Sequence, residues 1–402
     1  MNTFQLPNGI QVVHTPYPSG RVTHICLGLG IGSINDPVRK EGLAHFWEHS
    51  CFKGTGKRTT NKVFSDIESH GGEINAYTQK GMITFEVSIP NTYVEKAFDV
   101  LNDIVFNSTF SDDDLEKERK IIHQEIIEQN ESEDNDFEIF HSHFFKEHPL
   151  GNPILGTQES VNSIHKSDIS NFLKNNLDTK KVVLSVVSSL SSDKIESLVT
   201  KYFSNVPVMS CSKRISRFDK YVPFNQRESS ECANAFVMIG FPVSSRRWID
   251  YWSCSLILDY LAGDFNGSLI NRSLREKHGL IYHCGLDYYS YGLNGIATLS
   301  FSIDPENIDT ALELIDNEVY QLSKGIINRK LALCKNRIKG QLLLSNDNKQ
   351  AVSVQVAEDW LDTGTLLSME EKVWRLDFTA KYEINRALGY FKPERISKLV
   401  YA

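Results

Sequence analysis

His45-Phe46-Trp47-Glu48-His49 sets three chemistry-bearing side chains at i, i+3 and i+4. On an α-helix those positions share one face. Two imidazoles can then hold one metal ion while a carboxylate stands beside them. The pattern H-x-x-E-H is the reverse of the more common H-E-x-x-H order. Zinc accepts neutral histidine nitrogens, and a hydrolytic zinc site keeps one coordination position open for water. A glutamate that does not ligate the metal can take a proton from that water. The competing reading is two packing or surface histidines on an amphipathic helix, and the motif alone does not separate the two.

A third ligand would come from an Asp, Glu or His further along the chain. Glu118-Arg119-Lys120-Ile121-Ile122-His123-Gln124-Glu125 supplies two candidates. Glu118 and Glu125 are seven apart, close to two helical turns, so both lie on one face. One can ligate while the other orients a ligand or the water. Periodicity does not say which is which. Read alone, the pair is an ordinary solvated acidic face. His123 lies two residues before Glu125 and is expected to point away from it. His141, His143 and His148 form a looser group whose spacing matches no common ligand pattern.

The run Gly42 to His49, followed by Phe52-Lys53-Gly54-Thr55, resembles the zinc helix of the insulinase/pitrilysin superfamily of inverzincins. Glu118 to Glu125 resembles its second zinc helix. Gly71-Gly72-Glu73-Ile74-Asn75-Ala76-Tyr77-Thr78 is similar to its substrate-binding edge strand. Arg275-Glu276-Lys277-His278-Gly279-Leu280-Ile281-Tyr282 is similar to its second-half signature. The resemblance runs from Asn8-Gly9 almost to the C-terminus. It implies His45, His49 and Glu125 as zinc ligands, Glu48 as general base and Glu118 as an accessory carboxylate. It implies that Asn75 and Ala76 bind peptide backbone by strand addition, and that Arg275 and Tyr282 contact the substrate. The activity implied is that of a zinc-dependent metalloendopeptidase acting on peptides or unstructured segments with a zinc-activated water. At this length, the family builds a chamber from two chains. A homodimer would suffice, because each chain carries every motif. Two alternatives stay open: a catalytic subunit that needs a different partner in a heterodimer, and a non-catalytic assembly protein of the same fold.

Composition fits this picture. The chain has 402 residues, of which 41% are hydrophobic, and a net charge of -8. That length supports two or three domains with sizeable cores. The acidic balance argues against a general nucleic-acid binder. Seven cysteines show no C-x-x-C pair, the usage of a reducing compartment. Met1 to Gly9 lacks the basic start and apolar core of a targeting segment, and no apolar run reaches membrane-spanning length. A cytoplasmic protein without membrane contact is expected. Gly54-Thr55-Gly56-Lys57 lacks the spacing of a phosphate loop.

The order of elements repeats. Phe4–Leu6 and Ile10–Val13 flank Pro7-Asn8-Gly9, a hairpin signal. A strand over Val22–Leu29 precedes the zinc helix, and strands over Glu73–Thr78 and Met82–Ile89 follow it. Helices are expected over Tyr93–Phe106 and Asp112–Phe145. After a polar connector the same order returns: strand to Phe241, helix Tyr251–Ala262, helix Leu269–Lys277, then strands Ile281–Tyr288 and Ile296–Ile303. Cys254-Ser255-Leu256-Ile257-Leu258 stands where the zinc motif would be. The fold class is therefore α+β: two similar domains related by internal duplication, each with a mainly antiparallel sheet packed against helices. The expected division is 1–208 for the zinc-binding domain, 209–223 for the linker and 224–402 for a domain without metal.

Overall fold

The computed structural model describes residues 1–130, 133–211, 216–229 and 234–402. Residues 212–215, inside the expected connector, and Ala233, expected near a strand start, lie outside the described residues.

The chain opens with strands β1 (Asn2–Gln5) and β2 (Gln11–Pro16), paired antiparallel as the Pro7-Asn8-Gly9 turn requires. Asn8 fastens that turn by donating to the carbonyls of Phe203 and Val206 at 2.8 and 3.0 Å. Strand β3 (Val22–Leu29) leads to helix α1 (Leu43–Cys51), which carries the H-x-x-E-H motif. Gly42 caps α1 with φ +89°, and a Cβ there would lie 2.4 Å from the Leu155 carbonyl oxygen, so only glycine fits. Helix α2 (Thr60–Glu68), strands β4 (Glu73–Thr78) and β5 (Ile83–Pro90) and helix α3 (Val94–Phe106) follow.

The single long helix expected over Asp112–Phe145 is instead two, α4 (Asp112–Asn130) and α5 (Glu133–Phe144). Helices α6 (Gln158–Asn162) and α7 (Lys166–Asn176), strand β6 (Val182–Ser188) and helix α8 (Ser192–Phe203) complete the first half.

The second half begins with β7 (Asn225–Glu228) and β8 (Ala235–Val243), then α9 (Tyr251–Ala262). The helix over Leu269–Lys277 is present, but Asn271–Lys277 winds as a π-helix. Strand β9 runs Gly285–Tyr291, four residues later than expected, so Tyr282 precedes the strand rather than packing within it. Strand β10 (Asn294–Ile303) and helices α10 (Ile308–Ser323), α11 (Asn328–Ser345), α12 (Lys349–Thr363), α13 (Met369–Phe378) and α14 (Lys381–Ala387) lead to β11 (Ser397–Tyr401).

The strands form a six-stranded sheet, β1-β2-β6-β3-β5-β4, and a five-stranded sheet, β7-β11-β8-β10-β9. Each has one parallel pair, β2 with β6 and β7 with β11, and is otherwise antiparallel. Strands β6-β3-β5-β4 correspond in order to β11-β8-β10-β9, and α9 follows β8 as α1 follows β3. This is the mixed helix and sheet architecture, with internal duplication, that the repeated element order implied.

The chain forms two compact units, and each takes in a segment from the far half of the sequence. The first comprises 1–138, 147–214 and 345–366; the second comprises 139–146, 215–344 and 367–402. In the first, one face of the sheet packs on α1, α3 and α8. The other face is covered by α12, where Val356 and Ala357 meet Val13, Cys26 and Val183. Strands covered on both faces are apolar throughout, and β6 (Val-Val-Leu-Ser-Val-Val-Ser) is buried along its whole length. In the second unit, Phe140 lies so close to Gly240 of β8 that a Cβ there would sit 2.4 Å from its ring.

Strand β4 is the terminal strand of its sheet, leaving one edge unpaired. Its turn into β5 is anchored by Lys80, 1% exposed, whose Nζ donates to Glu138 Oε2 at 2.5 Å and to the Asn152 carbonyl at 2.6 Å. Burial pulls the Lys80 pKa down, with the Glu138 charge opposing. A buried ammonium persists only with such partners. Among the described residues, Cys26, Cys51, Cys254, Cys284 and Cys334 are free thiols, and no helix is long and apolar enough to cross a membrane.

Candidate metal centre

Helix α1 is buried on nearly every side: Leu43, Phe46, Trp47 and Cys51 enter the core of the first unit. Trp47 is fully buried, edge-on to Phe85 at 6.0 Å, and Cys51 is a buried free thiol. The remaining face carries His45, Glu48 and His49 toward α4, against which α1 packs.

Three donor atoms converge there. Glu125 Oε2 lies 3.7 Å from His45 Nε2 and 3.6 Å from His49 Nε2. The ligand atoms of these three residues all fall within 4.8 Å of one another, a grouping unique among the described residues. The separations are too long for good hydrogen bonds, and buried Glu125 Oε2 has no hydrogen-bond partner among the described residues. Zinc bonds of about 2.0–2.2 Å in a tetrahedron place ligand atoms roughly 3.3–3.6 Å apart. The donor set, two imidazoles and one carboxylate, and its spacing therefore fit a zinc ion. Burial and the neighbouring His49 push the His45 pKa down to about 3, so its imidazole is neutral and its lone pair is available.

Glu118 and Glu125 of α4 separate in space. Glu125 meets the Nε2 side of His49. Glu118, 2% exposed, meets the opposite side, its Oε2 3.1 Å from Nδ1. The second Glu118 oxygen pairs with the Lys53 ammonium. Burial works against the charge on Glu118, but His49 and Lys53 outweigh it and its pKa falls. For His49, burial is outweighed by Glu118, Glu48 and Glu125, and its pKa rises.

Glu48 is buried, and desolvation raises its pKa against the effects of His49 and Thr78. Thr78 Oγ1 donates to Glu48 Oε2 at 3.1 Å, which ties the end of β4 to this carboxyl. Asn75 and Ala76 lie on the same edge strand. The Ala76 N–H donates to Asn75 Oδ1 at 2.9 Å, and Asn75 Nδ2 donates to the Tyr77 hydroxyl at 2.5 Å.

Lys53 and Thr78 were not singled out in the sequence. Lys53 stands inside the quoted Phe52-Lys53-Gly54-Thr55 run and Thr78 at the end of the quoted edge strand, but nothing in spacing links either to the site.

In the second unit, Arg275 lies in the last turn of the π-helix and Tyr282 follows that helix. The Arg275 guanidinium stacks over the Tyr282 ring at 5.6 Å, and the ring is 87% exposed. Neither side chain is consumed by packing.

Among the described residues, the other histidines do not assemble a second centre. His123 Nε2 lies 2.8 Å from Asn162 Oδ1. His141 is buried within 3.3 Å of the Tyr291 hydroxyl, His143 faces Glu228 at 3.4 Å, and His148 Nδ1 accepts from the Leu150 N–H.

The chain is similar to known proteins. Residues 11–158 match the model described as Insulinase (Peptidase family M16), and residues 163–337 match the Peptidase M16 inactive domain. An uncharacterised zinc protease of Rickettsia felis is 26% identical over 371 residues, covering 92% of this chain and 90% of the relative. The mitochondrial-processing peptidase subunit beta of Neurospora crassa is 27% identical over 390 residues, covering 92% of this chain and 80% of the relative. The same fold is seen in the crystal structure of a peptidase M16 inactive domain from Pseudomonas fluorescens, with a TM-score of 0.90 and 17% identity. That match covers 100% of this chain and 97% of the other. Since two models of one peptidase family account for adjoining stretches from residue 11 to residue 337, the chain belongs to the insulinase/pitrilysin superfamily, in its half-length, processing-peptidase-like form.

Proposed function

We propose that this protein is a zinc-dependent endopeptidase for peptides and unstructured segments. The observation that carries the reading is the convergence of His45 Nε2, His49 Nε2 and Glu125 Oε2 beside the buried Glu48 carboxyl. His45, His49 and Glu125 would hold the ion, and Glu118 would fix His49 from behind. Zinc, when bound, supplies Lewis acidity toward a water and a peptide carbonyl. Glu48 takes a proton from the attacking water and returns it to the leaving amine. Thr78 engages one Glu48 oxygen and leaves the other for that proton.

The unpaired edge of β4 would receive an extended peptide as an added strand, with Asn75 and Ala76 meeting its backbone. The incoming backbone would replace the bond between the Ala76 N–H and the Asn75 side chain. Strand addition reads backbone, so side-chain specificity would be broad. On this reading residues 1–208 carry the metal ligands, 209–223 form the linker and 224–402 carry no metal ligands, with 345–366 folding into the first compact unit. The purified chain is expected to hydrolyse a fluorogenic unstructured peptide, to stop when zinc is stripped by a chelator, and to recover on adding zinc. Hydrolysis undiminished by complete zinc removal would sink this proposal.

We further propose that two chains enclose a chamber in which Arg275 and Tyr282 of one act at the metal centre of the other. Their exposure and mutual stacking support this role. Mixing Glu48→Gln chains with Arg275→Ala/Tyr282→Phe chains then creates dimers with one whole site. Activity of up to about half the wild-type value per mixed dimer is expected, since one site of two is intact. Proven mixed dimers without recovery would place the pair's action within its own chain or remove it from catalysis. The similarity to a protein named as a subunit of a processing peptidase favours, as a second reading, a heterodimer with a related chain. A purified chain that binds zinc but cleaves only after a second subunit is added would select that reading.

A further inference from the structure

We propose that Lys53 is a positioning residue of the metal centre: its ammonium holds the Glu118 carboxylate against His49 Nδ1 and thereby tightens zinc binding through His49. The inference rests on the reading of His45, His49 and Glu125 as ligands.

Lys53 lies four residues beyond His49, where the chain leaves α1. Its backbone is fixed on both sides. Its N–H donates to the Ser50 carbonyl at 3.1 Å, and its carbonyl accepts from Thr60 Oγ1 at 2.8 Å. The next residue, Gly54, has φ +133°, and a Cβ there would lie 2.8 Å from the Arg58 carbonyl. Only glycine makes that turn without strain. The Gly54 carbonyl accepts from the Thr109 N–H at 3.0 Å. This clamped turn leaves the Lys53 side chain 22% exposed and directs its ammonium onto Glu118.

Glu118 divides its two oxygens between two tasks. Oε2 faces His49 Nδ1 at 3.1 Å, and Oε1 faces Lys53. Apart from that ion pair, Oε1 has no hydrogen-bond partner among the described residues. A carboxylate 2% exposed is costly to leave unpaired, so without Lys53 it would turn toward another partner. Turning it would release His49. A ligand imidazole whose second nitrogen donates to a carboxylate is held in one tautomer and one ring orientation, with its metal-binding lone pair aimed and made more basic. His45 has no such help, because its buried Nδ1 has no hydrogen-bond partner among the described residues. The orientation of the ligand pair therefore depends on the His49 side, and Lys53 is the outermost link of that chain. The competing account is an ion pair that contributes to stability alone.

Zinc-loaded protein challenged with graded amounts of a chromophoric chelator gives the zinc affinity directly, without using activity. Lys53→Met is expected to weaken zinc binding about 10–100-fold, the range for losing an outer partner of a ligand. Lys53→Arg, which keeps the cation, should stay within a few-fold of wild type. Glu118→Gln should weaken binding to a comparable extent. The double variant Lys53→Met/Glu118→Gln should bind no more weakly than Glu118→Gln, because Lys53 acts only through Glu118. Lys53→Gln serves in place of Lys53→Met if the latter does not fold. Wild-type affinity in the Lys53 variants, or a double variant that loses the product of both effects, overturns the inference. Wild-type protein that takes up no zinc overturns the ligand assignment as well, so the two failures are distinct.

Discussion

Glu48→Gln protein is expected to keep its fold and about one zinc per chain while losing peptide hydrolysis by a hundredfold or more. The side chain is buried and close in shape to glutamine, and Thr78 Oγ1 can still donate to the amide oxygen, so packing around α1 is preserved. Glu48 is not among the three converging donor atoms, so metal content should hold. What disappears is the ability to take the proton of the attacking water. Turnover rates with saturating peptide, set beside zinc analysis of the same sample, check this. Turnover near wild type would remove Glu48 from the chemistry.

The second large effect is on the metal itself. His45→Ala, His49→Ala and Glu125→Gln should each empty the site and abolish hydrolysis, because each removes one of the three protein ligands by which an open, catalytic zinc site is held. Glu118→Gln belongs to a different class, with weakened but measurable binding. The contrast between Glu118 and Glu125 is informative, since the two lie on one face of one helix and carry the same functional group. Elemental analysis of purified variants decides it. Full occupancy in all three ligand variants would mean that the ion sits elsewhere.

That contrast also marks where sequence reasoning reached and where it stopped. The face shared by His45, Glu48 and His49 was legible because helical spacing alone produces it. Periodicity placed Glu118 and Glu125 on a common face and could go no further. Their different duties come from α4 crossing α1, so that each glutamate meets a different nitrogen of His49. Thr78 was out of reach because it approaches Glu48 from another element, 30 residues away in sequence. Lys53 was out of reach because its direction is set by a clamped turn. Most strands were readable from apolar runs, but β7 (Asn-Gln-Arg-Glu) has no alternation and is a strand only because β11 pairs with it. Nothing local in the sequence of α12 says that Val356 and Ala357 cover the first sheet.

Because α12 completes the first unit, that unit cannot finish folding in the order in which it is synthesised. The strands carrying Val13, Cys26 and Val183 leave the ribosome long before Val356 and Ala357 exist to cover them. In the interval the nascent chain presents an apolar sheet face to solvent, the kind of surface that recruits chaperones or causes aggregation. For the same reason a protein cut at the connector would not yield an intact metal-binding half, since residues 345–366 would remain on the other fragment. The late segment makes completion of the first unit conditional on synthesis having passed residue 366.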